Sequence, residues 1–220
     1  MSLQDTLDAF KADFETNIAP PAAVAVIHKT TNELIASGAA DRALKAGDRA
    51  PDFALSDANG NVVRLSDLLA SGPVAISFFR RVWCPYCNLE LKALEETVSD
   101  IRARGATLIA VSPQGPQQSR KSQRDNGLSF PILSDSHNAI ADAFGLKFKL
   151  QEDLVALYKS FGIDLSVSNG DDSWTLPMPG RFVIGTDGII ASAEVNADYT
   201  RRPDPSELLP VIDRLQRIDA

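Results

Sequence analysis

The chain has 220 residues, 44% of them hydrophobic and 23% charged, which suffices for one full core and leaves no low-complexity tract to read as disorder. A formal charge of -7, with basic residues scattered apart from Arg80-Arg81 and Arg201-Arg202, argues against a nucleic-acid footprint. No apolar stretch approaches the length of a membrane span and the N-terminus lacks the charged-then-apolar pattern of a secretory leader. The expected address is therefore the cytoplasm, where structural disulfides are rare.

Leu3, Leu7, Phe10, Phe14 and Ile18 recur at helical spacing, predicting an amphipathic helix over 3–18 that ends before Pro20-Pro21, with a second over 22–36. Their apolar stripe must pack either on the body of the chain or on a second copy in a homodimer. These helices form an expected N-terminal extension, 1–43, ahead of a domain over 44–220. Asn59-Gly60, between the strand-like Phe53-Ala54-Leu55 and Val62-Val63, predicts a tight hairpin, and Ser66 the cap of a short turn through Leu69. Next come a strand over 73–79, a helix over 84–104, a strand over 107–111, a helix near 117–126, a strand over 130–133 and a helix near 138–144. This alternation implies right-handed crossovers and a largely parallel central sheet. The pattern then loosens into an amphipathic piece around Leu154, Leu157 and Tyr158 and a polar loop over 166–173 leading to Trp174. A loop of that length reads as a lid, a binding loop or an insert, with Trp174 and Leu176 either covering the site or anchoring the loop. An antiparallel pair, 181–184 and 189–195 about Thr186-Asp187-Gly188, and a helix near 206–218 close a pattern that fits a thioredoxin fold.

The only two cysteines stand in Trp83-Cys84-Pro85-Tyr86-Cys87, where the apolar run gives way to the helical pattern beginning near Pro85. Thiolate is the reactive form, and the unpaired N–H groups of a helix N-terminus favour it. Two intervening residues bring the second sulfur onto the adjoining turn, within reach of a disulfide. Lowering a thiol pKa from about 8.5 to about 6.5 takes about 2.7 kcal/mol, whereas a helix terminus supplies about 0.3 to 1, or about 2 when partly buried. A cation must make up the difference. Arg80, at the strand end, is the nearest candidate, with Arg81, Arg181 and Arg201 behind it. Pro85 suits the first helical position and stiffens the turn, and Trp83 and Tyr86 are read as an apolar rim. Zinc is disfavoured because four ligands are the rule and only His28 and His137 are available. His137 is read as satisfying backbone at a strand-to-helix junction, and Glu90 as a solvated or paired carboxylate.

Ala50-Pro51-Asp52-Phe53, the Asn59-Gly60 hairpin, the strand into the two cysteines and Phe182-Val183-Ile184 before Asp187-Gly188 together resemble the AhpC/TSA-type peroxiredoxin-like proteins, from about Leu44 to the C-terminus. Asn88-Leu89-Glu90-Leu91 and Asp198-Tyr199-Thr200-Arg201 resemble the subgroup that carries Cys-Pro-Tyr-Cys. The resemblance implies a thioredoxin-like α/β domain of three layers, α/β/α, with a mixed central sheet. It also implies a peroxide substrate, a thioredoxin- or glutaredoxin-like reductant and no cofactor. Cys84, in its Cys-Pro pairing, matches the peroxide-attacking cysteine, and Cys87 is then the resolving thiol. Two departures stand out. Arg81 and Ser77 occupy the places where the family usually has a Thr or Ser and a Pro, and Pro179 stands where the family's later Arg is expected. Thioredoxin-like oxidoreductases place a cis-proline there, so a cis Met178-Pro179 bond is expected. Three readings follow: a thiol peroxidase, a thiol-disulfide oxidoreductase, or a non-enzymatic redox-responsive binding module. The first requires Cys84 to be ionised near neutrality and open to solvent.

Overall fold

The structure is a computed structural model that describes residues 2–169 and 172–218. Helix α1 (Leu3–Asp13) starts in a capping box, in which the Asp5 N–H donates to Ser2 Oγ at 3.2 Å and the Ser2 N–H to the Asp5 carboxylate at 3.0 Å. A π-helical turn, Phe14–Ile18, ends it, and α2 (Pro21–Ala36) follows with proline in its first turn. Leu3 and Leu7 are buried in the main core and α1 packs on the long helix of the domain, while Ile18 is 59% exposed. The front of the predicted stripe thus packs within the chain.

Strands β1 (Ala54–Asp57) and β2 (Val62–Arg64) form the Asn59-Gly60 hairpin. The short α3 (Leu65–Leu69) begins with the Ser66 N–H donating to Asp52 Oδ1 at 3.0 Å, so the capping side chain is Asp52 rather than the expected Ser66. The remaining elements are β3 (Val74–Phe78), α4 (Pro85–Ala103), β4 (Thr107–Ser112), α5 (Pro116–Asn126), β5 (Ile132–Ser134), α6 (Ala139–Ala143), β6 (Lys147–Lys149), α7 (Glu152–Ser160), α8 (Leu165–Asn169), β7 (Thr175–Pro177), β8 (Gly180–Ile184), β9 (Ile190–Val195) and α9 (Leu208–Ile218). The main sheet runs β2-β1-β5-β4-β3-β8-β9, parallel only across β3, β4 and β5. The expectation of a largely parallel sheet is corrected by its flanks. Strands β1 and β2 form a hairpin, and β8 lies antiparallel to both β3 and β9.

Alternation along the buried strands feeds two cores. Ala75, Leu108, Ala110 and Val183 face α1, α4 and α9, whereas Val74, Ile76, Phe78, Ile109 and Phe182 face α3 and α6. The result is three layers. A separate two-stranded sheet, β6 with β7, was not expected from the sequence. The predicted polar loop is helical over Leu165–Asn169, and its residues 170 and 171 lie outside the described residues. Among the described residues there is no cis peptide bond, so Met178-Pro179 is trans, which corrects the cis expectation. Pro179 lies between two extended strands, and the trans isomer, preferred by about 0.5–1 kcal/mol before proline, carries the chain from one to the next. Among the described residues no helix is long and apolar enough to cross a membrane.

Candidate active site

The site forms where β3 hands the chain to α4. The Phe79 N–H still donates to Val111 O at 3.0 Å, the Ser112 hydroxyl donates to Arg80 O at 3.1 Å, and the Val82 N–H donates to Gln114 Oε1 at 2.8 Å. Asn88 Nδ2 donates to Val82 O at 2.8 Å and closes the turn from the helix side. This bracing places Cys84 at the N-cap of α4, extended at φ -85 and ψ 110, with Pro85 as the first helical residue. The capping atom is sulfur: the Cys87 N–H points at Cys84 Sγ across 3.4 Å.

Arg80 Nη2 lies 3.2 Å from the same sulfur, and its Nη1 donates to Tyr158 Oη at 3.0 Å. The guanidinium stacks 3.8 Å from the Tyr199 ring centre and 5.4 Å from that of Trp83. Arg202 approaches the other cysteine, with Nη2 3.9 Å from Cys87 Sγ and Nε donating to Glu90 Oε2 at 2.7 Å. No disulfide joins the two cysteines, which are both buried. Burial alone would push both thiols up. At Cys84 the hydrogen bond from Cys87, the Arg80 and Arg202 charges and the Arg80 hydrogen bond together outweigh burial and hold the thiol well below its usual range. Cys87 is pushed well above its usual range by burial and by the neighbouring Cys84 sulfur. The two roles are thereby separated, one sulfur as thiolate and the other as thiol.

Arg80 is where the sequence reading put it, and Cys84, Cys87 and Pro85 hold their expected positions. Trp83 packs edge-on to Tyr158 with centroids 5.4 Å apart. Tyr86 is buried between Phe10 and Tyr199, so it is a wall under α1 rather than an open rim. The other candidate cations separate. Arg81 is buried, Arg181 is held by Glu194 at 2.7 Å, and Arg201 pairs with Asp8 at 3.3 Å. Pro179 lines a cavity with Glu90, Arg181 and Arg202. Trp174 and Leu176 are built into a cluster with Leu150, Tyr158 and Leu165, so they anchor Tyr158 rather than form a free flap. Backbone at the 135–141 junction is satisfied by Asp135, which accepts from Ile140 N at 2.9 Å and Ala141 N at 2.8 Å. Sequence reasoning missed Tyr158, Tyr199 and Arg202 as site residues. The only signal was the 198–201 run beside Arg202.

One requirement is not met. Cys84 and Cys87 are both 0% exposed: α1 packs in the same cluster as the two cysteines, and α7 brings Tyr158 over Arg80. A cavity of about 30 Å³ reaches Arg80, Tyr158 and Tyr199 beneath Thr30, Thr31 and Leu34 of α2. Among the described residues, Arg80 Nε and Trp83 Nε1 are buried donors without an acceptor.

The profile of the AhpC/TSA family matches residues 46–193. Among curated relatives, the thiol-disulfide oxidoreductase ResA of Halalkalibacterium halodurans is 34% identical over 110 residues, covering 49% of this chain and 61% of its own. Peroxiredoxin Bcp of Escherichia coli strain K12 is 28% identical over 103 residues, covering 47% and 65%. The chain thus spans less than two thirds of the length of these relatives. Among solved structures, peroxidoxin BcpB of Mycobacterium tuberculosis superposes with a TM-score of 0.62 at 22% identity, over 80% of this chain and 99% of that one, which shows a shared fold.

Proposed function

The chain belongs to the AhpC/TSA family, and from that premise we propose that it is a thiol peroxidase in which Cys84 attacks and Cys87 resolves. The observation that carries the reading is the Arg80 guanidinium 3.2 Å from the helix-capping Cys84 sulfur. The thiolate attacks one peroxide oxygen and the O–O bond breaks. Sulfur loses two electrons and keeps the OH as a sulfenic acid, and the departing oxygen takes a proton to leave as water or alcohol. The Cys87 thiol then attacks the sulfenic sulfur, releasing water and leaving the Cys84–Cys87 disulfide. An external dithiol of thioredoxin or glutaredoxin type donates two electrons and two protons to restore both thiols, which places the work in a thiol-reducing compartment. The free Arg80 and Trp83 donors supply hydrogen bonds for peroxide oxygens where the family's usual hydroxyl is replaced by Arg81. A cavity of about 30 Å³ beside Arg80 has room for a molecule of about the size of water, and with Cys84 buried beyond it a small opening admits hydrogen peroxide before bulky hydroperoxides.

Rapid-mixing kinetics with hydrogen peroxide test this. Cys84→Ser abolishes turnover, whereas Cys87→Ser reacts once and then stalls or over-oxidises. A wild-type rate constant no higher than that of free cysteine, or sustained turnover by Cys87→Ser, overturns the assignment. The likeness to ResA, at 34% identity, favours a second reading as a thiol-disulfide oxidoreductase. The trans Pro179 and the covered sulfurs weigh against it, and failure to reduce insulin in the presence of dithiothreitol would exclude it.

A further inference from the structure

The dithiol rests against a buried charge pair, one member of which, Arg202, also helps hold the Cys84 thiol down. Arg202, in the segment after β9, and Glu90, on α4, have side chains 2% and 4% exposed and meet at 2.7 Å. Arg202 is fixed from several sides: Nη1 donates to Arg201 O at 2.8 Å and its backbone N–H to Gln4 Oε1 at 3.1 Å. Glu90 lies one helical turn beyond Cys87, and the Arg202 Nη2 left over from the pair faces Cys87 Sγ at 3.9 Å. A buried ion pair is weak evidence of stabilisation, because apolar residues of similar volume often serve as well. Its contact with a sulfur is a reason to keep it.

We propose that Glu90 is a positioning residue for the dithiol: by holding Arg202 in a buried ion pair against Cys87, it limits the positive charge felt by the sulfurs and keeps the disulfide stable enough for the site to cycle. The inference rests on the reading of Cys84 and Cys87 as a redox couple. With Arg80 and an unneutralised Arg202 both present, the reduced site would be stabilised as thiolate. Closing the disulfide, which removes two electrons from the sulfurs and releases their protons, would then become harder. A thiolate held too low also attacks more weakly, since nucleophilicity falls with pKa. The ionisable groups around the dithiol are Arg80 from the end of β3, Tyr158 from α7, Tyr86 and Glu90 from α4, and Tyr199 and Arg202 after β9, while Arg181, paired with Glu194, and Arg201, paired with Asp8, line the cavity beside Glu90 and Arg202. Glu15 and Asp198 act on Tyr86. Burial pushes the tyrosines up, which leaves them neutral and Glu90 as the carboxylate paired beside the sulfurs.

The test uses the full-length chain with Glu90→Gln, which preserves shape and an acceptor for Arg202. Two readouts are taken on protein shown to be folded by circular dichroism: the pH dependence of Cys84 alkylation by iodoacetamide, and the exchange equilibrium with dithiothreitol. In that exchange two electrons and two protons pass from one dithiol to the other disulfide. The expected result is an alkylation midpoint about one pH unit lower, about tenfold more thiolate below the midpoint. The exchange constant moves about tenfold toward the protein dithiol, about 30 mV for a two-electron couple. Glu90→Asp, which keeps the charge, returns both values toward wild type. Folded Glu90→Gln with both readouts unchanged overturns the proposal. Should that variant fail to fold, Glu90→Gln combined with Arg202→Gln removes both charges. It is expected to titrate within about threefold of wild type if the pair acts on the sulfurs as a neutral unit, and a loss of thiolate of about tenfold or more overturns the proposal. A protein inert to peroxide whose exchange equilibrium still shifts in Glu90→Gln would sink the peroxidase reading alone.

Discussion

Arg80 shows why one residue can decide the chemistry. Its planar fork bonds Cys84 Sγ and Tyr158 Oη from separate nitrogens while its face lies on Tyr199, an arrangement that a lysine ammonium cannot reproduce. A unit charge pair about 4 Å apart in an effective dielectric of about 20 is worth about 4 kcal/mol, more than the helix terminus supplies. The sign of the pH effect follows. The reactive species is the thiolate, the Cys84 midpoint lies well below the usual thiol value, and the rate therefore reaches its plateau at a lower pH than that of a free thiol. Arg80→Met should raise that midpoint by about two to three units, cutting the peroxide rate at pH values below the wild-type midpoint by about 10²- to 10³-fold while leaving most of the alkaline rate. Arg80→Lys should fall between the two. Stopped-flow rates across the pH range decide the matter, and an unchanged profile in Arg80→Met would assign activation to another group. Arg80 was legible because it closes the strand four residues before Cys84. Arg202 was not, since it lies 115 residues from Cys87 and only the fold brings them together.

At the scale of elements, the strongly periodic segments were legible, and the short ones only where a turn signal or their place in the strand-helix alternation marked them, as in β1, β2 and β5. Helix α4 and strands β3 and β4 carry apolar patterns long enough to read, whereas β6 and β7 are three residues each and take their conformation from pairing with one another. Helix α7 was visible as an amphipathic piece. Its role in carrying Tyr158 to Arg80 depends on packing that no local pattern encodes. The turn after α6 shows how tightly elements are joined at the rim. Gly145 has φ +73, and a Cβ built there would stand 2.4 Å from Arg42 O, in the segment leaving the N-terminal helices. Gly162 has nearly the same φ, +74, with nothing within 4 Å. Left-handed backbone costs an L-residue about 1–2 kcal/mol, so Gly162→Ala should lose about that amount. Gly145→Ala should lose more than about 2 kcal/mol, because backbone must also move. Urea midpoints of the two variants check this, and equal losses would show that the Arg42–Gly145 approach is loose in solution.

For the whole molecule the decisive property is access. Helix α1 packs against the dithiol while α2, α7 and β6 converge on Arg80, and α2 is tied to α7 by Lys29 and Asp153, 2.7 Å apart. That pair is exposed, and such pairs contribute only about 0–1 kcal/mol, so the cover is closed by modest forces. The cavity of about 30 Å³ ends at Arg80, and hydrogen peroxide, being small, needs only a slight opening to pass from it to the buried Cys84 sulfur. A bulky reagent must wait for α2 and α7 to separate. The expected kinetics follow from that difference: the hydrogen peroxide rate rises in proportion to concentration, whereas cumene hydroperoxide and a neutral pyridyl disulfide level off at one common rate, that of opening. Neutral reagents are needed because the chain's charge of -7 would slow an anionic one for an unrelated reason. Leu34→Ala, at the cavity wall, should raise the common limit severalfold and leave the hydrogen peroxide rate within about twofold, since the removed isopropyl group frees space without touching the sulfur. Proportional rates for all three reagents, with no shared ceiling, would mean that the cover does not gate the sulfur and that the preference for small peroxides has no structural basis.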